Sequence, residues 1–265
     1  MVYKEAVDRF LEEINRKMYS DNTYRTYEIA LYQYGKFCED NKLDWKKKDT
    51  ARKFVSYLVK GGYSPNSINL KISALSSFAE FCVDNEWLDK NMFVAMKVKA
   101  PKRLINYIPD ETVDLLLSTI DDKYRPYIEL MLYGGLRISE AVSVDSKNLY
   151  FDDNVLFCRV IGKGNKERIT PILAPEEVKQ RLSKLRKDDK ITEGAVKEYL
   201  YRWSLKHGKH ITAHMLRHTF ATRAVQAGIP IEVVSKWLGH ENLQTTMVYV
   251  TVTYERVKHY AKAVI

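Results

Sequence analysis

The stretch AHMLRHTFATRAVQAG, residues 213–228, decides how the second half of this chain is interpreted. It places His214, Arg217 and His218 at positions i, i+3 and i+4 of a predicted helix, hence on one face of it. The whole chain contains only six histidines. The spacing suits a helical zinc pair, a phosphate clamp or a polar helix face without chemistry, so it leaves three alternatives open.

The composition of the whole chain is that of a globular protein with basic character in both halves. The 265 residues are 45% hydrophobic and 29% charged, which suits one large domain or two modest ones. The net charge is +9, and it divides almost evenly between the residues before Leu104 and the rest of the chain. Two basic halves could hold a polyanion between them, although a lysine-rich solvated surface explains the same charge.

The cysteines and the apolar runs restrict the cellular setting. Cys38, Cys82 and Cys158 lie far apart without a C-x-x-C pair, which argues against a disulfide framework and a cysteine-built zinc site. No apolar run is long enough to cross a bilayer. The first residues, MVYKEAVDRF, lack the apolar core of a secretory signal. We therefore expect a cytoplasmic protein without a membrane partner.

Helical periodicity dominates the first hundred residues. Residues 7–18 predict an amphipathic helix, whose apolar face carries Val7, Phe10, Leu11, Ile14 and Met18. Three further helices are predicted, from the capping residues Ser20–Asn22 to about Asp40, from Asp49–Thr50 to Gly61–Gly62, and onwards from Ser64 and Pro65. No segment alternates as a strand does, so we predict a helical domain over residues 1–98.

A basic linker, residues 99–108, is predicted to precede a second domain over residues 109–265. Pro101, Pro109 and several lysines and arginines interrupt the periodicity between Lys97 and Pro109. The second domain begins with a helix capped by Asp110 and is mostly helical. Its exception is a β-hairpin, with two β-rich runs at residues 155–161 and 168–172 around the basic turn GKGNKE. The expected fold class is therefore mainly α with a small β-sheet or hairpin.

Four motifs of the second domain occur in a fixed order along the chain. GGLRISE carries Arg137, the hairpin turn GKGNKER carries Lys163, and HMLRH follows. The last motif, LGHENLQTTMVY, places His240 nine residues before Tyr249. In this order the motifs resemble the tyrosine recombinase (phage integrase) family, and its Xer-type branch in particular. The resemblance covers the second domain almost end to end, whereas the first domain is similar only in style, as a small helical (SAM-like) core DNA-binding domain.

The resemblance implies a site-specific recombinase that cleaves and rejoins DNA through a 3′-phosphotyrosine intermediate. Its catalytic set would be Arg137, Lys163, His214, Arg217, His240 and the nucleophile Tyr249. The two domains would form a C-shaped clamp on double-stranded DNA near the nucleoid. Four protomers, identical or shared with a related recombinase, would act through a Holliday junction, and the free protein would be monomeric or dimeric. Chromosome or plasmid dimer resolution and integration or excision are the implied roles.

The chemistry of these residue types agrees with that implication. A tyrosine hydroxyl can attack a phosphodiester and form a covalent intermediate. Arg137 and Arg217 could neutralise the charge that develops on the nonbridging oxygens. Lys163 could protonate the leaving 5′ oxygen, while His214 takes the tyrosine proton and His240 binds the phosphate. Because the phosphotyrosyl bond keeps the energy of the broken bond, we expect no need for ATP. Because the arginines neutralise the charge, we expect no metal or other cofactor.

Two residues are predicted to support this set. Glu140, three residues past Arg137, would orient an arginine or bind His214. His218 would be a core histidine that supports its neighbour. Within the hairpin turn, Lys166 is an alternative to Lys163, and the family pattern favours the lysine between the two glycines.

The C-terminal residues leave two further alternatives open. Tyr254 and Tyr260 lie close to Tyr249 but do not keep the nine-residue interval from His240. The tail could pack on its own domain or insert into a neighbouring protomer through one apolar helix face, formed by Val257, Tyr260, Ala261 and Val264.

Two other functions compete with recombination. A metallohydrolase would use His214 and His218 as a zinc pair, but HMLRH has no glutamate to act as the base, and Arg217 would lie beside the dication. A catalytically silent basic DNA-binding protein of the same fold would lack one residue of the catalytic set, and none is missing here.

Overall fold

The computed structural model describes residues 2–19, 21–101, 106–161, 167–188, 190–240 and 246. The chain divides into two compact units, Met1–Arg103 and Leu104–Ile265. Helices dominate both units, and a single three-stranded sheet lies in the second among the described residues, so the predicted fold class is confirmed. Within those residues no helix is both long and apolar enough to cross a bilayer.

The first unit is helical, as predicted. Its helices are α1 (Tyr3–Arg16), α2 (Asp21–Asp40), α3 (Lys48–Lys60) and α4 (Pro65–Asp84). The predicted start of α4 is confirmed, because the Ser64 hydroxyl accepts a hydrogen bond from the Ser67 backbone N–H and Pro65 occupies the first turn. Helix α3 starts slightly earlier than predicted, at Lys48.

The predicted apolar face of α1 is correct in its middle and wrong at its end. Phe10 and Ile14 are buried in the core of the first unit. Met18, however, is 90% exposed, because α1 ends at Arg16 and the backbone of Met18 turns to a φ of 53°. A left-handed residue leaves the helical path, so its side chain no longer continues the apolar face.

In the second unit, helices precede and follow the three strands along the chain. Its elements are α5 (Asp110–Thr119), α6 (Arg125–Gly134), α7 (Ile138–Ala141), β1 (Leu149–Asp152), β2 (Val155–Ile161), β3 (Glu167–Pro171), α8 (Glu176–Leu182), α9 (Glu193–His207), α10 (Ala213–Gln226) and α11 (Ile231–Leu238). The predicted cap of α5 is displaced by one residue, since Pro109 occupies that position and Asp110 begins the helix.

The predicted hairpin is the β2–β3 pair of an antiparallel sheet ordered β1-β2-β3. Cys158 of β2 lies opposite Leu149 of β1 and Thr170 of β3. The four-residue strand β1 was not predicted, because only Leu149 of its residues is buried and no alternation marks it. The hairpin tip, residues 162–166, lies outside the described residues.

The junction between α6 and α10 brings distant parts of the second unit together. Helix α6 ends at Gly134 and is capped by Gly135, whose φ is +65°. A Cβ atom at Gly135 would lie 2.5 Å from Cδ1 of Phe220 on α10, so only glycine permits this close approach. Because α7 begins three residues later, the junction sets Arg137 beside α10, which carries Arg217.

The segment before α5 packs into this unit. Ile108 is buried, and its backbone N–H donates to the hydroxyl of Thr219 on α10 (2.9 Å). Residues 102–105 lie outside the described residues. The limits of the linker, 99–108, and of the domains on either side of it stay predictions.

Candidate active site

The C-terminal end of α11 binds three arginine side chains. The carbonyl oxygens of residues 237–239 accept hydrogen bonds, in that order, from Arg168 (2.7 Å), Arg217 (2.5 Å) and Arg137 (3.2 Å). Carbonyls at this end of a helix have no partner within the helix and carry the negative end of its dipole. The end of α11 therefore holds three guanidiniums that come from three different elements, β3, α10 and the start of α7.

One buried carboxylate, that of Glu140, joins the same three arginines. Arg168 donates to both of its oxygens, at 2.7 Å each. Arg137 donates its backbone N–H to Oε2 (2.6 Å) and its Nη1 to Oε1 (2.9 Å). Nη1 of Arg217 lies 3.8 Å from Oε2. Burial acts to raise the pKa of Glu140, but the bonds and charge of Arg168 and the bonds from Arg137 outweigh it, so this pKa is lowered.

The arginines differ in their access to solvent. Arg217 is buried, and its Nη1 also donates to the carbonyl of Gly135 (2.7 Å). Arg168 has a side chain that is 10% exposed, whereas that of Arg137 is 37% exposed. Three guanidiniums around one carboxylate leave an excess of positive charge, which is the electrostatic requirement for an anion site. Arg137 is the member of the cluster most open to such an anion.

The histidines near this cluster have perturbed electrostatics. His214 and His218 are in edge-to-face contact, with ring centroids 5.1 Å apart. Burial, followed by the charges of His214 and Arg217, lowers the pKa of His218 to about 4. Burial, followed by the charges of Arg217 and Arg137, lowers the pKa of His240 to about 4. His218 and His240 are therefore neutral near pH 7, so each ring carries one N–H donor and one acceptor nitrogen.

A pair of hydroxyl groups fixes the ring of His240. Its Nδ1 lies 2.8 Å from Oγ1 of Thr246, and that hydroxyl donates to Oγ of Ser235 on α11 (3.1 Å). Thr246 is fully buried. Gly239, with a φ of +63°, ends α11 and turns the chain so that His240 follows directly after the arginine-binding carbonyls.

The structure brings part of the predicted set into one cluster. Arg137, Arg217 and Glu140 are in direct contact there, and His240 is close enough for both arginines to perturb its pKa. His214 and His218 contact each other on α10. Lys163 and Tyr249 lie outside the described residues, as do Lys166, Tyr254, Tyr260 and the C-terminal tail.

The described residues provide no complete set of ligands for the zinc alternative. Among them, no group of three or more His, Cys, Asp or Glu side chains is arranged to hold a metal ion. His214 and His218 instead flank Arg217, whose positive charge opposes a cation at that position.

Arg168 belongs to the cluster and was not predicted. The alternation of β3 contains a signal for it, because Arg168 shares its inward face with Thr170, which is fully buried. An arginine at an inward strand position requires a buried partner for its charge. That requirement points to a carboxylate, although the strand itself does not tell which one.

Comparison with known proteins gives the same assignment for both units. Residues 103–256 match the model of the phage integrase family, and residues 7–89 match that of the phage integrase N-terminal SAM-like domain. The chain is 32% identical to tyrosine recombinase XerA of Pyrococcus horikoshii, over 100% of this chain and 94% of the relative. It is 30% identical to tyrosine recombinase XerC of Leptospira interrogans, over 98% and 93% of the two chains.

Solved structures share the fold. The XerH site-specific recombinase bound to a palindromic difH substrate has a TM-score of 0.71 and 20% identity, over 90% of this chain and 78% of that one. A lambda integrase dimer bound to a COC′ core site has a TM-score of 0.75 and 16% identity, over 92% and 97%. With both family models matched and a relative aligned over the whole chain, this protein belongs to the phage integrase family of tyrosine recombinases.

Proposed function

We propose that this protein is a site-specific DNA recombinase that cleaves and rejoins DNA strands through a 3′-phosphotyrosine on Tyr249. Site-specific recombination is the activity of its Xer-type relatives, which align over nearly the whole chain. The observation that carries the proposal is the cluster of Arg137, Arg168 and Arg217 around Glu140 at the end of α11. Such a cluster provides a fixed positive site for a phosphodiester.

The reaction exchanges one phosphoester bond for another. The Tyr249 oxygen attacks the phosphorus, a bond from phosphorus to this oxygen forms, and the bond from phosphorus to the 5′ oxygen breaks. His214 takes the tyrosine proton and Lys163 gives a proton to the leaving 5′ oxygen. Attack by a 5′ hydroxyl of another strand reverses these steps and releases Tyr249. The number of phosphoester bonds is unchanged, so the exchange needs no ATP.

The arginine cluster stabilises the charge of the transition state in this mechanism. Arg137, the most exposed of the three, contacts a nonbridging oxygen, and Arg217 places its charge behind it. Glu140 and the α11 carbonyls hold both guanidiniums before DNA arrives, so no reorganisation is needed during the reaction. Because Nδ1 of His240 donates to Thr246, Nε2 of the neutral ring has no proton. The bound phosphate, as an adjacent negative charge, favours protonation of Nε2, which then donates to a nonbridging oxygen.

The partner we propose is double-stranded DNA that contains a specific site. XerH and lambda integrase, which share the fold, are bound to DNA in their structures. Four protomers, identical or shared with a related recombinase, would exchange strands through a Holliday junction in the cytoplasm. Dimer resolution and integration or excision are the roles consistent with this activity.

Covalent capture tests the proposal. The protein is incubated with a library of duplexes that carry a nick next to each candidate position, so that cleavage releases a short fragment and traps the phosphotyrosine. We expect a covalent adduct from the wild type, with and without EDTA, and none from Tyr249→Phe, which should still bind DNA. Tyr254→Phe is the matched control and should form the adduct.

Three outcomes of the capture would contradict parts of the proposal. DNA binding without an adduct would indicate the catalytically silent DNA-binding protein. An adduct that persists in Tyr249→Phe would assign the nucleophile to another residue, with Tyr254 the next to replace. Loss of the adduct in EDTA would revive the metal alternative.

A further inference from the structure

The mechanism above gives Arg168 no step, yet this side chain makes three hydrogen bonds within the arginine cluster. Its Nε donates to the carbonyl of Trp237, and its Nη1 and Nη2 donate to the two oxygens of Glu140, all at 2.7 Å. All three nitrogens are thus bound by the protein. With a side chain that is 10% exposed, Arg168 is poorly placed to meet DNA itself.

The bonds from Arg168 complete the hydrogen bonding of Glu140. Each oxygen of this carboxylate accepts one bond from Arg168 and one from Arg137. Two bonds to each oxygen fill the acceptor capacity of a carboxylate. The forked pair of bonds from Arg168 therefore fixes the position of Glu140 and, through it, that of the Arg137 guanidinium.

The chain leaves room for this arrangement at Gly239. A Cβ atom there would lie 2.9 Å from Cδ of Arg168 and 3.3 Å from its Nε. The carbonyl of Gly239 accepts the Nη2 bond of Arg137. Gly239 thus leaves space for the aliphatic part of the Arg168 side chain, and its carbonyl binds the guanidinium of Arg137.

Arg168 also connects the hairpin to the cluster. It is the second residue of β3, and β3 begins directly after the hairpin tip at residues 162–166, which contains Lys163. The bonds to Glu140 and Trp237 tie this strand to α7 and to the end of α11. The strand that follows the predicted general acid is therefore anchored at the predicted phosphate site.

Resting on the function proposed above, we infer that Arg168 is a positioning residue for strand cleavage. It holds Glu140, and Glu140 holds the guanidinium of Arg137 against the scissile phosphate. Loss of the forked pair lets Arg137 move away from the position that meets the developing charge. A misplacement of about 1 Å can reduce a rate by about 10²-fold.

The test compares two forms of one nicked duplex, built on a site recovered by the covalent capture above. The first form carries an ordinary phosphodiester. The second carries a methylphosphonate, in which a neutral methyl group replaces one charged nonbridging oxygen. Single-turnover rates of adduct formation and DNA affinities are measured for wild type, Arg168→Gln, Arg168→Lys and Arg137→Ala.

On the ordinary phosphodiester we expect Arg168→Gln to lower the rate about 10²-fold and Arg168→Lys about tenfold, with unchanged DNA affinity. On the methylphosphonate both defects should shrink, as should that of Arg137→Ala, because less charge then needs an arginine. A residue that only packs the core would show the same defect on both substrates.

The matched control lies on the same hairpin. Arg159 of β2 pairs with Glu167 through an exposed contact of 2.9 Å, with more than half of both side chains exposed. Arg159→Lys should therefore leave both rates unchanged. Unfolding midpoints by circular dichroism verify that each variant is folded, and Arg168→Lys carries the test if Arg168→Gln is unfolded.

Two kinds of failure are distinguishable. A wild type that forms the adduct, beside Arg168 variants with wild-type rates or equal defects on both substrates, overturns the positioning role alone. A wild type without an adduct, or Tyr249→Phe with one, overturns the proposed function, and the positioning role of Arg168 with it.

Discussion

Two glutamates of the second unit, Glu140 on α7 and Glu129 on α6, are equally buried beside arginines but are compensated very differently. Glu140 has bonds to both oxygens from Arg137 and Arg168. Glu129 accepts a bond from Arg181 on Oε1 only, and its Oε2 has no hydrogen-bond partner within the described residues. One carboxylate is therefore saturated and the other is half-satisfied.

The pKa directions follow from this difference. Burial raises the pKa of Glu129, and the bond and charge of Arg181 offset only part of the effect. At Glu140 the arginines outweigh burial, and the pKa is lowered. Pairing of both oxygens thus favours the anion of Glu140, whereas the unpaired oxygen disfavours that of Glu129. Under the proposed function Glu140 organises the charge of the arginine cluster, whereas Glu129, in the middle of α6, is a structural contact.

The largest effect is expected from Glu140→Ala. This change leaves three guanidiniums without their shared carboxylate, and breaking a buried ion pair costs about 3–5 kcal/mol. The free energy of unfolding in urea should fall by that order, and adduct formation should fall by about 10²-fold or more, since Arg137 loses its anchor. Retention of the wild-type rate in Glu140→Ala would show that the cluster does not position Arg137.

A smaller effect is expected from Arg181→Met, which removes the principal partner of Glu129. The carboxyl can then avoid an uncompensated charge by taking up a proton, so the free energy of unfolding at pH 7 should fall by only about 1–3 kcal/mol. Adduct formation should be unchanged. The double variant Arg181→Met/Glu129→Gln should recover part of the loss, and no recovery would contradict the assignment of that loss to Glu129.

Sequence reasoning located the motifs of the site because local rules determine them. The glycine pair that ends α6, the i, i+3, i+4 spacing on α10 and the Leu-Gly stop before His240 all depend on neighbours within a few residues. The helical first unit and the hairpin follow from periodicity for the same reason. The error at Met18 is also local, because the end of α1 has no glycine or proline to mark it.

The contacts that organise the site could not be predicted in the same way. Arg168 meets Glu140 across 28 residues, and Arg217 meets the carbonyl of Gly135 across 82. No periodicity tells which of many carboxylates a buried arginine will find, because the partner is chosen by tertiary packing. The motifs therefore identify the side chains proposed to contact DNA. They do not identify the side chains that position those residues.

The smallest effect, and the sharpest test of the comparison, is expected from Glu129→Gln. The raised pKa of Glu129 means that burial already disfavours its anion, so the neutral amide should change the free energy of unfolding at pH 7 by only about 1 kcal/mol. Glu140→Gln, which removes a saturated anion, should cost clearly more at the same pH. Adduct formation should stay at the wild-type rate in Glu129→Gln, which is the functional control for Glu140→Gln.

The pH dependence of these two variants should run in opposite directions. The raised pKa of Glu129 means that its contribution to stability is present below the unfolded-state pKa of about 4.3 and is lost as pH rises through the folded-state value. The lowered pKa of Glu140 means that its contribution is present above about 4.3 and is lost as pH falls through the folded-state value. Urea unfolding from low pH to pH 7 should therefore show Glu129→Gln gaining on the wild type as pH rises, while Glu140→Gln falls further behind. Parallel curves would mean that the unpaired oxygen of Glu129 finds a partner in solution, and that the two carboxylates do not differ as their contacts indicate.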